Sequence, residues 1–181
     1  MKQLYSGRFD SDRHWAWLAE LGARAGGSEC WTGQKNGLIG TSLANQISFM
    51  FGPHTSEINI RVVAHDYPPV LNDIWEEVVE SPFIVDKSVN LCLLDSNGDP
   101  YGNPIHFEAG NYRVRFCAIN FGVTEDVNKS ISETELTALA SSEQYELAFW
   151  REPIRPDEII RAKSPHARSW HKFRQEDELR R

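Results

Sequence analysis

Four carboxylates crowd into eight residues around one tryptophan: Asp73, Glu76, Glu77 and Glu80, with Trp75 among them. Two carboxyl groups at a defined separation can share acid and base roles on a glycosidic bond, provided that a sugar-binding cleft holds the substrate between them. In an extended chain Glu76 and Glu80 fall on one face, because side chains alternate with a period of two. The same acids also suit an anionic face for a basic partner, which needs no such precision. A solvated strand edge, charged to prevent sheet-to-sheet association, is the third reading of the cluster.

Other chemistry finds less support. Histidines stand at 14, 54, 65, 106, 166 and 171, and His65-Asp66 is the one His-carboxylate pair near a strand end. No His-x-His, His-x-x-x-His or Cys-x-x-Cys spacing occurs, which argues against a metal site. Asp95-Ser96-Asn97-Gly98-Asp99 begins like a calcium loop, but the twelfth position, where a bidentate glutamate is needed, is His106. A hairpin turn is expected there instead. A Gly-x-Ser-x-Gly elbow and the glycine-rich phosphate loops are missing as well. No cofactor is expected.

At 181 residues, 40% of them hydrophobic, the chain is long enough for one domain with a packed core. Its apolar runs are too short to span a bilayer, so no membrane association is expected. The opening Met1–Arg8 lacks the apolar stretch of a secretory signal. Cys30, Cys92 and Cys117 form no paired framework, so a reducing, cytoplasmic setting is expected. The formal charge of −7 is unevenly spread: residues 1–150 carry 10 Lys and Arg against 20 Asp and Glu, whereas residues 151–181 carry 9 against 6. An acidic body of this kind repels phosphate, which disfavours nucleic-acid binding, and attracts cationic partners.

These side chains must be positioned mainly by strands. Gly110-Asn111 launches Tyr112, Val114, Phe116 and Ala118 on one face, with Arg113, Arg115 and Cys117 on the other, so this segment reads as a half-buried strand displaying charge. Similar alternation marks Ile58–Ala64, Trp75–Ser81 with its extension through Val85, Val89–Leu94, Ile105–Phe107 and Tyr145–Phe149. Leu38–Phe51 reads as strand, turn, strand around Ala44-Asn45-Gln46. Asp10–Ala25 reads as a helix capped by Asp10 or Ser11, and Ser132-Glu133-Thr134-Glu135 opens another. A third is expected from Pro156, with the charged end beyond Phe173 fraying. The expected fold is mainly β, an antiparallel, jelly-roll-like β-sandwich with short peripheral helices. Residues 1–155 would form the sandwich with its N-terminal helical segment, and residues 156–181 a short helical, charged extension.

The order of elements resembles the competence protein J family of small nuclease inhibitors. The likeness lies in the Leu38–Phe51 strand pair, the Ile58-Asn59-Ile60-Arg61-Val62 strand, the Val78-Val79-Glu80-Ser81-Pro82-Phe83 segment and the Glu108-Ala109-Gly110-Asn111-Tyr112-Arg113-Val114 turn and strand. It covers roughly residues 38–150. Residues 1–35, 123–142 and 151–181 are additions to that compact family. The resemblance implies a non-enzymatic inhibitor or immunity protein whose acidic surface occupies the basic substrate channel of a nuclease or similar toxin. The contact residues it implies are Asp66, Asp73, Trp75, Glu76, Glu77 and Glu80, with Glu125 and Asp126 as a second acidic edge. Two rivals stand beside it: a carbohydrate- or ligand-binding sandwich that uses the six tryptophans as stacking platforms, and a hydrolase.

Overall fold

A computed structural model describes residues 1–23, 26–124 and 132–180. Among them the chain forms eleven strands, β1 Lys2–Asp12, β2 Trp15–Ala19, β3 Ile39–Gly40, β4 Ile47–Met50, β5 Thr55–Ala64, β6 Glu77–Val85, β7 Val89–Leu94, β8 Pro100–Phe107, β9 Gly110–Ile119, β10 Gln144–Arg151 and β11 Glu158–Ala162. Two helices join them, α1 Glu133–Ser141 and α2 Pro165–Glu178, together with a short 3-10 turn over Ser28–Trp31. The expected mainly β sandwich is what forms.

The ladders make one continuous path that doubles over into two leaves. One leaf runs β11-β6-β9-β10-β5-β1, and the other runs β2-β4-β3 with β7 and β8 attached at β2. Strand β1 is the seam. It pairs with β5 along its whole length but meets β2 only at Asp12 and Trp15. The core between the leaves is aromatic: Phe107 of β8 meets Phe83 of β6 at 5.7 Å and Phe149 of β10 at 5.1 Å between ring centroids, in edge-on contacts. Phe51 likewise meets Tyr145 of β10 at 4.8 Å and Phe9 of β1 at 5.4 Å. The antiparallel pattern has one exception. Strands β5 and β10 run parallel, with Asn59 opposite Gln144 and Ala64 opposite Phe149.

Two sequence expectations need correction. The segment read as a helix from Asp10 is the end of β1, a reversal at Arg13 and His14, and β2. Both reversal residues have positive φ, 56° and 65°, as a tight two-residue hairpin requires. Helical spacing of Trp15, Leu18 and Leu21 loses to a period of two: Ala16 and Leu18 enter the main core, while Trp17 and Ala19 pack with Cys92 and Leu94 on the other face. The tail is likewise not a helix from Pro156. Its first regular element is β11, which pairs with β6 at the sheet edge, and the helix starts at Pro165, behind the Ser164 cap. The helix expected after Ser132 does form as α1, closed by a reciprocal Ser132–Glu135 capping box. The Asp95–Asp99 segment is a turn whose Asp95 carboxylate accepts the Asn97 and Asp99 amides at 2.8 and 3.0 Å.

The segment ahead of β11 and the middle of α2 are both held to the body. Asp157 accepts the Lys35 and Asn36 amides at 2.8 and 2.7 Å, and the Gly37 amide donates to His171 Nδ1 at 3.0 Å. A Cβ at Gly37 would lie 2.2 Å from the Trp170 carbonyl oxygen, so only glycine lets the helix approach this closely. Burial pushes the His171 pKa down to about 4. The folded value therefore lies below the unfolded one, and the unfolded chain takes up the proton first as pH falls. We expect the contribution of His171, on the order of 3 kcal/mol, to be complete above the unfolded pKa of about 6.5. It should disappear as pH falls toward 4. Urea unfolding of wild type and His171→Gln across that range checks this, because their stability difference should narrow on acidification; a constant difference would refute it.

Candidate interaction loop and its buried support

The acid cluster divides by depth. Glu77 and Glu80 are buried, 0% and 3% exposed, and Trp75 is 9% exposed. These three were expected to present a surface, and the structure corrects that: the outer face of β6 and β9 is covered by chain, not by water. Arg113 and Arg115, expected to be displayed, are 1% and 8% exposed for the same reason.

Glu80 lies opposite Arg115 across the β6–β9 ladder. Its Oε1 accepts from Arg115 Nε at 2.9 Å and Nη2 at 2.7 Å, and its Oε2 accepts from Arg113 Nε at 3.1 Å and Arg155 Nη2 at 2.5 Å. One carboxylate thus holds three guanidinium groups, two on neighbouring outward positions of β9 and one from the segment after β10. Burial by itself would raise the Glu80 pKa; hydrogen bonds and charge from Arg115, with those of Arg113 and Arg155, outweigh it and hold the carboxyl below its ordinary range. The two β9 arginines reach backbone through Nη1, while the buried Nη2 of Arg113 has no hydrogen-bond partner among the described residues. Arg113 Nη1 reaches the carbonyls of Arg155 and Pro156 at 3.0 and 2.9 Å, and Arg115 Nη1 reaches that of Pro69 at 2.8 Å.

The Pro69 carbonyl belongs to the connection between β5 and β6, and that connection is fixed at its other end too. Arg161 of β11 donates to the carbonyls of Asp73 and Trp75 at 3.3 and 2.5 Å and to the Asp73 carboxylate at 3.0 Å. The Asn72 side chain accepts the Ile74 amide at 3.1 Å. Trp75 turns inward against Leu71, Val78, Cys117 and Ile119. What remains outside is a short apolar surface flanked by acids. Tyr67, Val70 and Ile74 are 80%, 97% and 57% exposed, and Asp66 and Asp73 are exposed beside them. An open groove of about 450 Å³ separates this loop from the sheet, with Ile74 and Trp75 on one side and Ser6, Arg8, Asn59 and Arg61 on the other.

Of the remaining expected contacts, Glu76 is half-buried and accepts the Asn120 amide at 2.8 Å. Glu77 accepts the Lys163 and Ser164 amides at 3.0 and 2.6 Å, which anchors the turn into α2, and burial raises its pKa. Glu125 and Asp126 lie outside the described residues. Reading by acid count missed Tyr67, Val70 and Ile74 and the two arginines, Arg115 and Arg161, that hold the loop. A usable signal was present: from Val62 to Asp86 there are the acids Asp66, Asp73, Glu76, Glu77, Glu80 and Asp86, yet no Lys or Arg, so every cation meeting this stretch comes from elsewhere in the fold.

This architecture is of the two-leaved β-sandwich class, with, in this chain, the β5–β6 connection laid over the outer face of one leaf. Among solved structures it is similar to ComJ of Bacillus subtilis, described as an inhibitor of the DNA degrading activity of NucA. The TM-score is 0.50 and the identity 12%, and the match covers 83% of this chain and 98% of that one. The product of crocagin biosynthetic gene J also matches, at 8% identity and a TM-score of 0.49 over 82% of this chain and 96% of that one. No protein-family model and no curated protein sequence matches. The resemblance is thus a likeness of fold, and at 83% of the chain it reaches beyond the expected residues 38–150, so not all of residues 1–35, 123–142 and 151–181 are additions.

Removing the Glu80 charge leaves three arginines without their shared anion in a dry site. Glu80→Gln should lower stability by about 3–5 kcal/mol, as breaking one side of a buried ion pair does. Arg115→Met keeps Arg113 and Arg155 on Glu80 but frees the Pro69 carbonyl, and it should speed amide exchange between Leu71 and Trp75 more than elsewhere. Urea unfolding and hydrogen exchange by mass spectrometry check both; an unchanged exchange rate in that segment would show that Arg115 does not hold the loop.

Proposed function

We propose that this chain is a non-enzymatic inhibitor or immunity protein that binds and neutralises a nuclease or similar toxin. The observation that carries this reading is the pinned β5–β6 loop, which presents the exposed acids Asp66 and Asp73 on a fixed backbone. A nuclease is cationic where it holds phosphate, so carboxylates presented on a fixed scaffold can take the place of phosphate and speed association. The acidic balance of residues 1–150 adds a long-range attraction of the same sign. The fold likeness to a known inhibitor of a DNA-degrading enzyme agrees with this reading. A cytoplasmic site of action follows for a protein that guards its own cell.

The stacking-platform alternative loses its platform. Trp17, Trp31, Trp75 and Trp150 are buried, and Trp15 and Trp170 are half-buried, so no tryptophan stands fully in solvent. A sugar-binding row needs open faces.

The test is direct inhibition. Titrated into a panel of purified DNA-degrading nucleases that includes NucA, the chain should abolish cleavage of linear DNA by at least one of them. Raising salt from about 50 to 500 mM should weaken that inhibition steeply, since exposed charges are screened over that range. Full cleavage by every nuclease at low salt, or inhibition indifferent to salt, would sink the reading.

A further inference from the structure

Exposed apolar side chains on a protein of this size are ordinary when scattered. Here three of them share nine residues of one connection, two acids flank them, and the backbone beneath is tied at Pro69, Asp73 and Trp75. We propose that residues 66–74 are the segment that seats in the partner's substrate cleft, with Tyr67 and Val70 as its apolar anchors and Asp66 and Asp73 facing the cations that otherwise hold phosphate. This assignment rests on the inhibitor reading and locates its contact surface.

Three physical points favour this segment over the rest of the surface. First, rigidity: a flexible loop loses conformational entropy when it binds, whereas Arg115 and Arg161 have already fixed this one. Pro68-Pro69 restricts it further by setting φ. Second, composition: interface energy concentrates in a few aromatic and aliphatic side chains that become fully buried, and Tyr67 offers a large ring that is 80% exposed before binding. Third, relief: the groove beside Ile74 leaves the loop open to solvent on that side, so a cleft wall can enter there. A second acidic surface, where Asp10, Glu57, Asp95 and Asp99 line an open groove with Tyr101, has the charge without comparable exposed apolar anchors. Tyr101 there already donates to Asp10 at 3.0 Å.

The experiment uses the full-length chain and whichever purified nuclease of the panel it inhibits best. Tyr67→Ala and Val70→Asp should each raise the inhibition constant roughly 100-fold. Thermal unfolding should stay within a degree or two of wild type, because both side chains stand in solvent. Asp66→Lys should weaken inhibition and also flatten its salt dependence, which a purely apolar contact would not do. Asp99→Asn, on the other acidic surface, should change the constant by less than about threefold. Loop variants that inhibit like wild type, or an Asp99→Asn effect larger than theirs, overturn the assignment while leaving the inhibitor reading intact. Failure of the wild-type chain to inhibit any nuclease removes both.

Discussion

A single buried carboxylate organises the outer face of this sandwich. Glu80 is the shared anion for Arg113, Arg115 and Arg155, and Arg113 and Arg115 each then fasten a piece of backbone that has no ladder of its own. Charges taken out of water are costly, and their attraction repays the cost only if geometry and hydrogen bonding are nearly complete. Here both carboxylate oxygens are used and Arg113 and Arg115 donate on to carbonyls, but the buried Nη2 of Arg113 is left without a partner among the described residues. The cluster is therefore better understood as a positional device than as a source of stability: it turns one strand residue into coordinates for Pro69 on one side and for residues 155 and 156 on the other.

The C-terminal residues complete the same device. Strand β11 adds an edge to β6 and brings Arg161 under Asp73 and Trp75, so the loop is held from the β9 side by Arg115 and from the β11 side by Arg161. Glu77, one face away from Glu80 on the same strand, receives the amides at the turn into α2. Two glutamates three residues apart thus hold the loop and the tail. What looks like an appended segment is part of how the loop is built, because β11 supplies the cation that holds the Asp73 and Trp75 carbonyls, beside the Glu76 bonds to Ala118 on β9 and to Asn120 just beyond it.

How much of this was legible follows from what a sequence encodes locally. The period-two alternation of β5, β7, β9 and β10 is written in neighbouring residues, as are the Asn97-Gly98 turn and the Ser132–Glu135 capping box, so all of these were readable. The Asp10–Ala25 segment was misread because Trp15, Leu18 and Leu21 fit a helical spacing as well as Ala16 and Leu18 fit a strand. The choice was made by pairing with β4 and β7, which lie about thirty and seventy-five residues away. Depth was the larger blind spot. Alternation tells which residues share a face, not what covers that face, and Arg113 and Arg115 were assigned to solvent when they lie under a loop. Asp66 and Asp73 sit in that loop, where no periodicity operates, and their exposure could be known only once Arg115 and Arg161 had fixed the backbone between them.

The distribution of sign explains why one stretch serves as both foundation and surface. Residues 62–86 contain only acids, so they cannot neutralise one another and must either find cations elsewhere in the fold or face water. Strand geometry decides which: Glu80 is carried by β6 onto arginines of the adjacent strand, whereas Asp66, at the end of β5 where the ladder has stopped, is left outside. Asp73 is intermediate, paired with Arg161 yet with a side chain 97% exposed. Such a surface pair in water contributes little to stability, which leaves this carboxylate able to exchange Arg161 for another cation at small cost. A loop whose backbone is fixed through carbonyls and whose carboxylates are only weakly engaged is suited to meet a cationic partner without first having to unfold.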